Sequence, residues 1–194
     1  MIAFIRGDFV YKTPAVVHVD AHGVGYELQI SLNTFSKIQH LDKGVLQTYF
    51  HVREDAQILY GFFDVAEKEM FILLISVSGV GAATARMMLS SMKPEEIARA
   101  ILNGNSALLE SIKGIGRKSA ERIILELRDK VSKTISESNI SPLINNTLEQ
   151  DALNALVSLG IARQVAEQAL KKLALDAPVP QKVEDIIKQV LKIL

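Results

Sequence analysis

The sequence predicts a multidomain chain of α and β parts: an N-terminal OB-fold β-barrel, a central tandem helix-hairpin-helix domain and a C-terminal small three-helix bundle. Three observations carry this. Short runs of Val, Ile, Tyr and Phe with period-two alternation fill residues 1–63. Over residues 64–131 the apolar period becomes 3.6, and a Gly-x-Gly pattern occurs twice. A stretch of small polar residues with one proline, 132–146, then precedes three more amphipathic segments in 147–194.

In the first region, strands are expected at residues 2–11, 15–21, 24–31, 45–52 and 57–63, with a short helix near 34–40. His22-Gly23 makes a tight turn, and Asp42-Lys43-Gly44 breaks the chain before the fourth strand. Five strands and one helix suggest an OB-type barrel, a fold that binds nucleic acids but also serves as scaffold or oligomer interface.

In the second region, Phe71, Leu74 and Ile75, and later Ile123, Ile124 and Leu127, mark helix faces. Lys93-Pro94-Glu95-Glu96 reads as a helix start, with proline in the first turn and carboxylates at the positive end of the dipole. Residues 132–146 read as a flexible linker. The last three helices are expected at 148–159, 162–173 and 183–194, broken at Gly160 and at Ala177-Pro178-Val179-Pro180. So short a bundle buries only a thin core and should be modestly stable by itself.

Composition removes several function classes. The 194 residues are 48% hydrophobic, enough for real cores, and carry 22 basic against 22 acidic side chains, so any nucleic-acid site must be a local arrangement. Cysteine is absent, which excludes disulfides and thiolate metal ligands and suits a reducing cytoplasm. The first eight residues contain charge and resemble no signal peptide, and the longest apolar run, 70–75, is far short of the ~20 residues that span a bilayer. A soluble cytoplasmic protein with no membrane partner is expected.

The chemistry lies in the repeated glycines. Ser78-Gly79-Val80-Gly81 and Lys113-Gly114-Ile115-Gly116 each follow an amphipathic helix and open another, with Ala85 or Ala120 four residues beyond the second glycine. In a helix-hairpin-helix unit the glycines adopt angles closed to other residues, and the apolar residue between them plugs into the helix pair. The amides at the start of the second helix, with its dipole, then favour an anion such as a DNA phosphate. Such contacts read no bases, so binding should be sequence-independent. One isolated Gly-x-Gly also fits an ordinary helix C-cap; two copies in matching contexts favour the hairpin. Arg117, Lys118 and Arg122 follow the second copy within phosphate reach, with solvated surface charge as the alternative.

Gly116-Arg117-Lys118-Ser119 resembles the end of a nucleotide-hydrolase phosphate loop but fails it. Arg117 stands where glycine must precede the lysine, Ile112 stands at the earlier glycine, and no strand leads in. His18, His22, His40 and His51 have no metal-ligand spacing. No catalytic residue, cofactor or metal is expected.

The order of barrel, terminal hairpin at 51–62, two glycine hairpins, linker and small bundle closely resembles the RuvA family over essentially the whole chain, most specifically at 51–62 and 113–127. That family supplies the Holliday-junction-binding subunit of the bacterial branch-migration complex. The resemblance implies a homotetramer matched to four DNA arms, either one tetramer or two face to face, and a C-terminal domain that recruits the hexameric ATPase RuvB. It also implies a RuvC-type resolvase as a further partner, and roles in recombination and repair. It makes Glu54 and Asp55 an acidic pin at the tetramer centre. From the residues alone, the two carboxylates are a soluble hairpin tip or a device that repels phosphates.

The third domain resembles ubiquitin-associated folds, with Leu156, Leu159, Ile161, Val165 and Leu170 as core or as partner groove. The chain departs from the family at Ala82-Ala83, where a proline and a basic residue are common, so the first hairpin should grip less strongly. A DNA-repair glycosylase or nuclease subunit that holds DNA through its hairpins is the alternative, and a peptide- and RNA-binding adaptor is a third reading.

Overall fold

The computed structural model describes residues 1–138, 148–176 and 182–193, arranged as two compact units that divide at Asn139 and Ile140. In the first unit, β1 (Phe4–Lys12), β2 (Val16–Ala21), β3 (Val24–Ile30), β4 (Lys43–Val52) and β5 (Gln57–Phe62) close a barrel in the order β1-β2-β3-β5-β4. All pairs are antiparallel except β3 with β5, which run parallel through Gln29–Tyr60 and Ile30–Gly61. The alternation read in the sequence is the reason: Val17, Val19, Leu28, Ile30 and Leu46 point inward and are almost fully buried, while their neighbours face out. Helix α1 (Leu32–Ile38) sends Ile38 into the same core and is capped by Ser31, whose Oγ accepts from the Thr34 amide.

Five helices follow in this unit: α2 (Val65–Ile75), α3 (Ala82–Ser91), α4 (Pro94–Leu102), α5 (Ser106–Glu110) and α6 (Arg117–Ser138). The expected start at Lys93 is closed by Glu96, whose Oε2 accepts from the Lys93 amide at 2.9 Å. The helices share one core with the barrel wall. Tyr60 and Phe62 of β5 pack with tilted rings against Phe71 of α2, at centroid separations of 4.9 and 5.0 Å. Barrel and hairpin region are therefore one packed body.

The same seam holds the buried carboxylate Glu67, 1% exposed, which accepts hydrogen bonds from the Ser31 and Thr34 hydroxyls of the barrel side. Burial pushes its pKa up, against the opposing pull of those two bonds and of Lys37. Asn33 donates to the carbonyls of Leu89 and Met92, and Arg86 to that of Ala15, so α3 is also tied to the barrel.

One boundary differs from expectation. Helix α6 continues through Ser138, well into the segment read as a linker from residue 132. Ser, Lys and Thr are tolerated in a helix that is already nucleated, and neither glycine nor proline interrupts 117–138. The remainder of the expected linker, 139–146, and the expected break at 177–180 lie outside the described residues.

The second unit contains α7 (Leu148–Ser158), α8 (Arg163–Asp176) and α9 (Val183–Ile193) around Ala152, Leu153, Leu156, Ala166, Ala169, Leu173, Ile186 and Val190.

Candidate nucleic-acid interface

The two glycine hairpins are built bond for bond alike. In the first, between α2 and α3, the Val77 amide donates to the Leu74 carbonyl at 3.1 Å and the Val80 amide to the Val77 carbonyl at 3.0 Å. Gly79 then turns the chain at φ +89°, and Ala85 N–H reaches the Gly81 carbonyl at 2.9 Å to start α3. In the second, Ile112 donates to Leu109 at 3.2 Å, Ile115 to Ile112 at 3.1 Å and Ala120 to Gly116 at 3.0 Å, with Gly114 at φ +94°. The plugs are seated as expected, Val80 5% and Ile115 6% exposed within the helical core, with Ala85 and Ala120 fully buried beneath the hairpins.

The glycines of each pair do different things. Only the first of each has the positive φ that disfavours a side chain; Gly81 sits at φ −83°, ψ 166°, ordinary extended backbone, and the φ of Gly116 is not positive. The expectation that both glycines of each pair need unusual angles thus fails at the second glycine of each. A Cβ on any of the four would meet no atom of the chain within 4 Å. Neither backbone conformation nor internal packing requires glycine at 81 or 116. What a missing side chain provides there is close approach of an outside group to the backbone. That group would meet the first amides of α3 or α6, which have no capping side chain because glycine stands at the cap, together with the positive dipole end.

The charges around the hairpins differ. Lys113, Arg117 and Lys118 are exposed on the second; Lys113 and Lys118 make no ion pair or hydrogen bond among the described residues, while Arg117 is paired with Glu121 at 2.9 Å. On the first, Ser78 and Ala83 are exposed and Ala82 is buried, and residues 78–83 contain no lysine or arginine of their own. Arg86 is turned to the barrel. Arg122 reaches back from α6 to the Ser78 carbonyl at 3.1 Å, a link between hairpins that sequence reasoning missed.

Glu54 and Asp55 occupy the tip of the β4–β5 hairpin, which the Arg53 amide closes by donating to the Ala56 carbonyl at 2.8 Å. Both carboxylates are exposed, and Arg53 Nε donates to His51 Nε2 at the stem. In the second unit Leu156 is fully buried and belongs to the core, the first of the two places expected for it. Ile161 and Leu170 lie partly buried against the core, and Leu159 and Val165 are 64% and 44% exposed. Among the described residues no cluster of His, Asp and Glu could hold a metal, and no helix is long and apolar enough to cross a membrane.

Residues 1–61 match the family described as RuvA N terminal domain, 71–129 the SAM-like helix-hairpin-helix tandem, and 147–194 the RuvA C-terminal domain. The chain is similar to proteins named Holliday junction branch migration complex subunit RuvA. That of Cytophaga hutchinsonii is 42% identical over 198 residues, and that of Flavobacterium psychrophilum is 45% identical over 192, each match covering 99% of both chains. That of Geobacter metallireducens is 41% identical over 203 residues, 100% of this chain and 99% of the relative.

Proposed function

Because this chain belongs to the RuvA family, we propose that it binds four-way DNA junctions without reading their sequence, holds them open and presents them to a separate ATPase motor for branch migration. The observation that carries this is the duplicated hairpin whose second glycine is required by nothing inside the chain. Each hairpin clamps a phosphate through backbone amides; the second adds Lys113 and Lys118 as cations. Phosphate contacts fix position and orientation only, so junction preference arises from the geometry of several clamps in one assembly. The chain is a non-catalytic subunit; Asp129, the carboxylate a glycosylase reading would need in a base-sized pocket, is instead an exposed residue of α6.

The finer reading is a homotetramer, singly or as two face to face, in the cytoplasm. Glu54 and Asp55 stand at its centre, where carboxylates brought beside phosphates repel them by roughly 1 kcal/mol per close pair in water and so steer strands. The C-terminal bundle docks a RuvB-type hexamer through its exposed Leu159 and Val165, with a RuvC-type resolvase as a further partner. Incubation with labelled four-way junction, linear duplex and ATP tests the core of this. Preferential retention of the junction, with neither cleavage nor ATP hydrolysis, is expected; nicked product or released base would overturn it. Sedimentation with and without junction reads the assembly.

A further inference from the structure

We infer that Arg122 is a bracket between the two hairpins, a positioning residue that aims the first hairpin's amides, rather than a phosphate ligand. This rests on the reading of the hairpins as phosphate clamps. Arg122 lies in the second turn of α6, the helix that the second hairpin opens, yet its Nη1 donates to the carbonyl of Ser78 at the first hairpin, 3.1 Å away. Its Nε lies 3.9 Å from Glu126 Oε1, one turn further along, so part of its charge is already answered within the chain. Lys113 and Lys118, by contrast, have no partner among the described residues and are the cations left for DNA.

The carbonyl that Arg122 holds belongs to the peptide joining Ser78 to Gly79. A trans peptide is planar, with its C=O and N–H pointing in opposite directions. Fixing the Ser78 oxygen toward Arg122 therefore aims the N–H of Gly79, the residue whose φ of +89° turns the chain, away from α6. A second tie runs from the same helix: Lys130 Nζ lies 3.5 Å from Ser76 Oγ, at the end of α2.

The bracing is one-way. The residue of α3 that corresponds to Arg122 in the repeat is Met87, which has no donor to offer the second hairpin. The hairpin that is braced is also the one whose own residues, 78–83, supply no lysine or arginine. A site that depends on backbone amides alone gains most from having them fixed before the ligand arrives.

A double-mutant cycle on the full-length chain separates bracket from ligand. Arg122→Met keeps the aliphatic stem. Gly81→Val obstructs the first clamp at a backbone conformation valine adopts freely, and Lys118→Ala weakens the second. For a bracket, Arg122→Met lowers junction affinity about tenfold alone, adds nothing further once Gly81→Val is present, and adds fully to Lys118→Ala. Additivity with Gly81→Val would make Arg122 a phosphate ligand and overturn the proposal. Amide hydrogen exchange without DNA gives an independent reading: residues 76–84 should exchange faster in Arg122→Met, with 113–119 unchanged. Unaltered exchange at 76–84 also overturns the bracket. If Gly81→Val and Lys118→Ala both leave binding intact, it is the phosphate-clamp reading that fails, and the exchange result still decides the bracket.

Discussion

The first hairpin, residues 78–81, and the second, 113–116, share every backbone bond that shapes them, yet one is flanked by Ala82 and Ala83 and the other by Arg117 and Lys118. Backbone geometry and charge are thus separable contributions to one kind of site. The glycines, the buried plug and the alanine beneath set the amide cradle in both, and only the second has lysines beside it. The first is instead held by its neighbours: α3 is fastened to the barrel through Asn33 and Arg86, and its turn to α6 through Arg122.

The largest effect should come from obstructing the second hairpin. Gly116→Val should lower junction affinity about a hundredfold, because a charge-assisted hydrogen bond contributes about 1.5–3 kcal/mol and more than one is removed. A filter-binding titration reads it, with an unchanged Tm showing that the fold survives. Gly81→Val should cost less, about tenfold, because Ala82 and Ala83 stand where the second hairpin has Arg117 and Lys118. Equal losses at the two sites would erase the distinction between them.

Lys118→Ala should weaken binding to all junction sequences alike and reduce the log-log salt slope by about 0.9 for each phosphate that is no longer neutralised. The converse change, Ala83→Lys, adds a cation at an exposed position of α3 and should raise the slope by about the same amount. It should cost about 0.3–1 kcal/mol of stability, since a cation there opposes the helix dipole. A slope that stays flat in Ala83→Lys would show that the first hairpin does not face a phosphate.

The two glycines within one hairpin make a sharper contrast in stability than in binding. Gly79→Ala places a side chain at φ +89° and should destabilise the fold by about 1–2 kcal/mol, whereas Gly81→Ala should be close to neutral in a thermal melt.

The smallest expected effect concerns the seam that holds hairpins and barrel together. The pKa of Glu67 is raised in the fold, mainly by burial, so the folded state binds a proton more readily than the unfolded state does. Its contribution to stability is then greatest below the unfolded value near 4.5 and declines as pH rises through the folded pKa. Relative to Glu67→Gln, the parent protein should lose Tm as pH is raised across that window. A Tm difference that does not vary with pH would remove the carboxylate from this role.

Much of the architecture is legible in local pattern. Alternation marks all five strands, and the two-residue tip at Glu54 and Asp55 follows from strands that pair from Val52 to Gln57. The Gly-x-Gly spacing marks both hairpins because their shape is determined within a few residues of chain. What is not legible is fixed by distant partners. Glu67 looks like one more acidic residue in a charged first turn until Ser31 and Thr34 enclose it. Arg122 looks like a free cation until α6 lies beside Ser78. The end of α6 is misplaced by composition because serine and threonine mark loops only where no preceding helix carries through them.

Two backbone clamps that hold a junction whatever its sequence can be challenged by competing labelled four-way junction against unlabelled junctions and duplexes of unrelated sequence, for the parent chain and for Gly81→Val combined with Gly116→Val. The parent should retain junctions of every sequence over duplex, and the double variant, still folded by thermal melt, should no longer retain them. A folded double variant that binds junctions as the parent does would contradict the clamp reading.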